Sequence, residues 1–471
     1  MKKSKLASSL REAVERSGLR DGMCISFHHH LRGGDYVLNM VLDEIEAMGI
    51  RDLTVNASSI HDGHAPLIEH IKTGVVTGLE TNYIGPVVGR EISKGILKRP
   101  VVFRTHGGRP SSLETGEFHI DVAFIAAPAS DPMGNCTGKR GPSACGALGY
   151  AFVDAMYADH TVVITDCLEA YPLIGYSISE VYVDQVVQVP SIGDPNGIVS
   201  GTTKLPKSPV ALKIAEYAAK AIDASGLLRD GFSFQTGAGG ASLATAAALK
   251  EIMLRKHIQG SYALGGITGY LVEMLEQGLF SALQDVQCFD LRAVESIRTN
   301  PRHMEITASH YASPTAKSSA ASSLDVVVLG ATEIDTEFNV NVHTDSMGHI
   351  MGGSGGHSDV AQEAKMSIIV APLSRKRFSV VVDKVACIST PGNTVDVLIT
   401  QYGAAVNPLR PDLKERFLAY GFPVYDIHQL KDMADKLNGI PKRRDLKNGR
   451  IVGKVIYRDG SLLDEIYQVK D

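Results

Sequence analysis

The sequence has no metal or redox knuckle, no basic excess, no membrane-length apolar run and no nucleotide-binding fingerprint. Each absence removes a class of function. The six cysteines stand at 24, 136, 145, 167, 288 and 387, so the closest two are nine residues apart and no CxxC motif exists. Scattered in this way through a long chain, they read as reduced, mostly buried thiols of a cytoplasmic protein. Lys and Arg number 47 against 52 Asp and Glu, a formal net charge of −5, which argues against a nucleic-acid-binding body. The longest uncharged run, 231–249, carries Ser233, Gln235, Thr236, Ser242, Thr245 and four glycines, and is too polar to cross a bilayer. The basic N-terminus lacks the apolar stretch of a signal peptide. Leu6, Leu10 and Val14 instead share one face of a helix that Gly18 would end. The Walker pattern is missing. At 237–242 the third glycine of G-x-G-x-x-G is replaced by Ser242, so nucleotide-phosphate chemistry is a poor fit.

What is present is a globular composition, 44% hydrophobic with 46 glycines, in a chain of 471 residues that is too long for one ordinary core. The segment Ser17-Gly18-Leu19-Arg20-Asp21-Gly22 returns as Ser225-Gly226-Leu227-Leu228-Arg229-Asp230-Gly231. Each copy leads into a β-like run, a glycine-bearing loop and a helical stretch, which indicates an internal duplication. The turn-rich segment 201–209 separates the copies and predicts lobes over 1–205 and 206–471. Short apolar runs at 121–128, 161–166, 324–331 and 366–372 alternate with amphipathic helices. That pattern predicts an α/β fold in which largely parallel sheets are flanked by helices. Asp459-Gly460 predicts a C-terminal hairpin.

Two loops dominate the second half: Thr236 to Ser242, with Gly237, Gly239 and Gly240, and Gly352 to Asp359, with Gly352, Gly353, Gly355, Gly356 and His357. Glycines admit positive φ and let a ligand approach the backbone, whose N–H groups can converge on an anion or an oxyanion. The plain alternative for either loop is a tight strand-to-helix turn.

The run GGSGGHSDVAQEAKMSIIVAP (352–372) resembles the GxGGQxDF stretch of butyrate-type CoA-transferases, and the segments 385–417 and 121–148 resemble two further regions of those enzymes. Within that superfamily, FHHHLRGGD, THGGRP, PMGNCTGKRGPSACG and MGGSGGHSD together resemble the citrate lyase alpha subunit family. The resemblance implies two CoA-transferase-like lobes and the exchange of acetyl for citryl on an acyl carrier protein, with citrate and acetate as the carboxylates. It implies no cofactor bound covalently to this chain. The thioester would be borne on a CoA-like prosthetic group of a partner carrier subunit, or on CoA. Partners would be that carrier and a lyase (beta) subunit, in a complex holding more than one copy of this chain. Butyrate-type enzymes place a nucleophilic glutamate where this sequence has Gly269, within Gly265-Gly266-Ile267-Thr268-Gly269. Either Glu273 replaces it, as in an ordinary CoA-transferase or acyl-CoA hydrolase, or the substrate carboxylate attacks directly and forms a mixed anhydride.

Under this reading the backbone at Gly355 and Gly356 is the oxyanion hole. Gly237, Gly239, Gly240, Gly352, Gly353 and His357 line the carrier path, and Arg32, Gly33 and Arg140 hold substrate carboxylates. Arg104, His106 and Arg109 are further candidates, and Arg375, Lys376 and Arg377 could meet an acidic carrier surface. His28, His29 and His30 read as strand-end histidines lining a pocket, since no third metal ligand is evident. Glu273 and Glu276 read as an exposed helix face, and Cys145 as a small packing residue.

Overall fold

The computed structural model describes residues 5–199, 206–237, 240–439 and 447–470. Gly239 and most of the expected linker lie outside them. The chain forms two large sheets. The first runs, in spatial order, Leu6–Ala7, Gln185–Gln188, His160–Thr165, Val122–Ala126, Cys24–Phe27, Leu53–Ala57, Val76–Thr81, Val101–Phe103, Ile451–Ile456 and Leu462–Tyr467. The second runs His303–Glu305, Phe280–Cys288, Gly260–Ile267, Phe234–Thr236, Val326–Gly330, Met366–Val370, Val397–Ile399, Ala404–Val406 and Val424–Tyr425. Pairings are parallel except in the C-terminal hairpin and between Val397–Ile399 and Ala404–Val406. The apolar runs form the central strands. Val122–Ala126 and Met366–Val370 are buried along their whole length, as strands covered by helices on both faces must be.

The duplication is visible in the topology. In each sheet the first long strand of the lobe is central, the next three in sequence lie on one side, and the following three parallel strands lie on the other. The echoed glycines do the same work in both lobes. Gly18 and Gly226 follow the helices Leu10–Ser17 and Pro209–Ala224 at φ 71° and 76°, a left-handed conformation that glycine adopts without steric cost. Three carboxylate clasps recur as well. Asp21 accepts from Arg51 N as Asp230 does from Gln259 N, Asp121 from Cys24 N as Asp325 from Ser233 N, and Asp184 from Thr161 N as Asp396 from Ser367 N. Each satisfies a backbone donor at a strand entrance that would otherwise lose water without a partner.

One boundary is corrected. The hairpin expected at Asp459-Gly460 forms, but Ile451–Ile456 pairs in parallel with Val101–Phe103 and so extends the first sheet. A second lobe running to the end of the chain therefore does not describe the strands. The physical reason is the open edge at Val101–Phe103, which the returning hairpin covers. From the hairpin turn Arg458 reaches back to Glu363 and donates to Ala312 O at 3.2 Å, while Tyr457 donates to Gln362 at 2.9 Å. These contacts tie the helix His357–Glu363 of the second lobe to the first sheet.

Inside the first lobe Arg109 makes a two-pronged ion pair with Asp154, at 2.6 and 2.9 Å, and donates to Asn56 at 2.6 Å, with all three side chains buried. A buried guanidinium that loses its carboxylate is left uncompensated. Asp154→Ala should therefore destabilise the fold by about 3–5 kcal/mol, read as a lowered midpoint in denaturant. A variant as stable as the wild type would show that the pair is dispensable.

Candidate active site

Where the two lobes meet, the strand Cys24–Phe27 ends and delivers His28, His29 and His30 into the interior, each nearly inaccessible to solvent. The His29 ring lies 4.9 Å from Tyr150, 5.8 Å from His61 and 5.8 Å from His106, measured between centroids, and His106 lies 4.5 Å from Tyr150. His28 and His30 are 4.4 Å apart, and Tyr83 stands 5.5 Å from His61. His28, His29 and His30 thus stand at the end of the strand, packed among the rings of His61, His106 and Tyr150.

Several of these groups have protein partners. Ser58 Oγ meets His29 Nδ1 at 2.6 Å, the His28 ring accepts from Ala126 N at 2.9 Å, and His106 Nδ1 faces Asn82 Oδ1 at 3.1 Å. Others do not. Both ring nitrogens of His30, His28 Nδ1 and one terminal nitrogen of Arg32 are buried without a hydrogen-bond partner. Buried polar atoms are normally satisfied, so this group of orphans marks a place for a polar ligand. Burial also removes charge. It pushes His106 down to about 3 and His28 to about 4, and holds His29, His30 and His61 well below the usual imidazole range. The histidines are therefore neutral, and each can donate or accept a hydrogen bond.

Arg32 sits with its guanidinium carbon 4.8 Å above the Phe289 ring of the second lobe. Its backbone is left-handed at φ 52°, a strained state for a side-chain-bearing residue. Gly33 and Gly34 let the loop lie against Gly197 and Asp194, and a Cβ on Gly34 would stand 2.0 Å from Asp194 O. Gly33 thus packs the loop, and its backbone neighbour Arg32 is the residue that reaches the chamber. Arg140 does not join it. Its guanidinium pairs with Glu169 at 3.0 Å and donates to Ile174 O at 2.7 Å. Of the three candidates around Gly107, only His106 is in the chamber. Arg104 pairs with Glu80 and Glu117, and Arg109 with Asp154.

The second lobe closes the chamber with the loop Gly352–Gly356. Ile84 N donates to Gly352 O at 3.1 Å, Gly355 N to Asn82 O at 3.1 Å, and His106 N to Gly355 O at 2.8 Å. Cβ atoms on Gly352 and Gly353 would come within 2.2 Å of Val342 O and 2.1 Å of Asn82 O. Gly353 thus admits the first lobe's backbone and Gly352 that of Val342 in its own lobe, so the space beside both is filled by protein. Gly355, at φ 51°, spends its N–H on Asn82, so the expected pair of oxyanion donors is reduced. The Gly356 N–H has no acceptor among the described residues. A Cβ there would stand 2.3 Å from Tyr311 Oη, which also accepts from Gln235 at 2.9 Å.

His357 is likewise taken up structurally, with Nδ1 at 2.7 Å from Thr390 Oγ1 and Nε2 at 2.9 Å from Gly330 O. Gly237 N donates to Val328 O at 2.9 Å, and Gly240 opens the helix Gly240–Lys256. Gly269 is the first residue of the helix Gly269–Glu276, with its N–H 2.6 Å from Asp290 Oδ2. Glu273, on that helix, is held by Lys250 at 2.6 Å and lies 3.9 Å from Arg292. It is an ion-paired helix face, as the apolar spacing around it implied.

Sequence reasoning missed Asn82, Tyr83, His61, Tyr150, Gln287, Phe289 and Tyr311, which reach the site from separate loops. Only the neighbouring glycines hinted at them. Gln287, for example, donates across the lobes to His29 O at 2.9 Å.

The comparisons with known proteins agree with this architecture. The family model described as citrate lyase, alpha subunit (CitF), matches residues 3–469. The citrate lyase alpha chain of Haemophilus influenzae is 48% identical over 470 residues, which is 100% of this chain and 94% of that one. An alpha subunit of citrate lyase from Streptococcus mutans, solved in complex with citrate, superposes with a TM-score of 0.97 at 50% identity, covering 100% of this chain and 92% of that one. The alpha subunit of a malonate decarboxylase from Acinetobacter baumannii shares the fold, with a TM-score of 0.69 at 15% identity over 93% of this chain and 96% of that one. The chain belongs to the citrate lyase alpha subunit family.

Proposed function

We propose that this chain exchanges acetyl for citryl on a thioester carrier, with citrate held in the histidine chamber and no covalent acyl-enzyme. The observation that carries the reading is the orphaned set of buried polar atoms on Arg32, His28 and His30. A molecule with several carboxylates supplies what those groups lack. Arg32 grips one carboxylate, the neutral imidazoles donate to others, and Tyr83, Tyr150 and Phe289 exclude water.

A citrate carboxylate oxygen attacks the acetyl carbonyl. The C–S bond breaks, the carrier leaves as thiolate, and a citric–acetic anhydride remains in the chamber. The thiolate then attacks the citryl carbonyl of that anhydride, forming the citryl thioester and releasing acetate. At both tetrahedral stages the Gly356 N–H donates to the oxyanion, a contribution typically worth about 3 kcal/mol. A glutamyl thioester is disfavoured by Gly269, which has no carboxylate, and by Glu273, whose carboxylate is held by Lys250. The carrier is an acyl carrier protein subunit bearing a CoA-like arm, and the citryl product passes to a lyase (beta) subunit. Among the described residues no helix is long and apolar enough to cross a membrane.

Three outcomes follow. Arg32→Gln loses a charge-assisted pair and should raise the KM for citrate roughly tenfold to a hundredfold while the KM for the thioester stays put; equal effects on both would move Arg32 out of the citrate site. Acetyl-thioester incubation should leave the protein mass unchanged in an intact-mass measurement, and Glu273→Gln should keep most turnover; a trapped glutamyl adduct would show that the nucleophile has moved. Carboxylates entering the chamber raise the depressed imidazole pKa values, so the complex gains protons and citrate binding strengthens as pH falls from 8 toward 5.5. Calorimetry in buffers of different ionisation enthalpy should register proton uptake at pH 6, and no uptake would mean that the histidines act only as neutral donors.

A further inference from the structure

About five residues outward from Gly356 the same loop borders a second feature that the chemistry above leaves unused. Met351, which directly precedes Gly352, forms part of the wall of an open cavity of about 180 Å³, together with Met347, Phe378 and Val380. Phe378 is 52% exposed and Met351 37%, so apolar surface faces solvent where a folded chain would otherwise hide it. Arg375 and Lys376 also line this cavity. They belong to a two-residue hairpin in which Arg375 pairs with Phe378, and its central residues, Lys376 and Arg377, have φ of 49° and 72°. A turn with two successive positive φ angles is ordinarily built from Asn-Gly or similar residues. Here it is built from two long cations, which bear backbone strain that Asn-Gly would relieve. Strain of this kind persists where the side chains have a task.

The cavity's carboxylate does not cancel these charges by pairing with them, since Asp345 accepts from Met347 N at 2.8 Å and His349 N at 3.0 Å. Arg375 donates to Ala331 O at 3.3 Å, next to Gly330, the residue that anchors His357. Both walls therefore lead, through Met351 on one side and Ala331 on the other, to the loop that carries Gly356.

Resting on the acyl-exchange reading, we infer that this cavity and its cationic turn bind the phosphate-bearing portion of the pantetheine arm that delivers the thioester. Lys376 and Arg377 meet the phosphates, and Met347, Met351 and Phe378 pack against the arm's apolar stretch. The arm has the required chemistry in both of its forms, as free CoA and as the prosthetic group of a carrier protein. Its thioester end then reaches the chamber beside Gly356.

The test replaces the turn with the residues its backbone prefers, Lys376→Asn with Arg377→Gly, a change that removes both cations and should not harm folding. The thioesters compared are acetyl-CoA, acetyl-pantetheine (which lacks phosphate) and the acetylated carrier, each with citrate. The variant should show a KM for acetyl-CoA raised roughly tenfold, an effect that shrinks at high salt, with KM for acetyl-pantetheine and for citrate within about twofold of wild type. A parallel rise with the acetylated carrier assigns the site to the arm in both forms, and a rise confined to acetyl-CoA assigns it to the free nucleotide. An unchanged KM for acetyl-CoA, or an equal loss with acetyl-pantetheine, overturns the inference. Should the wild type transfer acetyl from none of the three, the acyl-exchange reading fails on its own account. The cavity is then judged by calorimetry with CoA and pantetheine, where equal CoA affinity in wild type and variant overturns it.

Discussion

The constraint on which the site depends is the close approach of two backbones, Asn82–Ile84 of one lobe and Gly352–Gly355 of the other. Two main-chain hydrogen bonds cross there, a third joins His106 N to Gly355 O, and Gly353 has no room for a Cβ beside Asn82 O. Because peptide groups rather than long side chains make the contact, it has little rotamer freedom to lose and little slack. It closes the chamber over the histidines, orients His106 through its own N–H, and leaves Gly356 as the next residue in line with an unspent donor. The C-terminal hairpin reinforces this by holding the helix that follows the loop, through Arg458 and Tyr457.

Closure then governs the electrostatics. Several imidazoles held within 6 Å of one another would repel if protonated, and burial makes protonation costlier still, so the chamber rests neutral around Arg32.

The sequence carried the layer structure well. Continuous apolar runs became buried parallel strands, and the Ser-Gly-Leu echo became a repeated topology with three repeated carboxylate clasps. In the glycine loop at 352–356 it did not show that Val342 O and Asn82 O stand against Gly352 and Gly353, because a missing Cβ in a sequence does not say which neighbour fills the space. The partners of Arg140 and His357 were hidden for a related reason. A cation or imidazole beside glycines looks available until Glu169, Thr390 and Gly330 are seen to occupy it.

By itself, then, the sequence determined what local physics and pattern can fix: two duplicated α/β halves, strand-end histidines, Arg32 beside two glycines, and glycine in place of a nucleophilic glutamate. Periodicity and residue chemistry act over a few positions, and the family pattern is read residue by residue. Only the tertiary structure decided that the C-terminal hairpin joins the first sheet, that His61, His106, Tyr83 and Tyr150 cluster together, and that the Gly355 N–H goes to Asn82 O while that of Gly356 has no acceptor among the described residues. Those outcomes depend on which distant backbone donors and acceptors meet once the lobes close, and that pairing is set by packing across hundreds of residues rather than by any one segment.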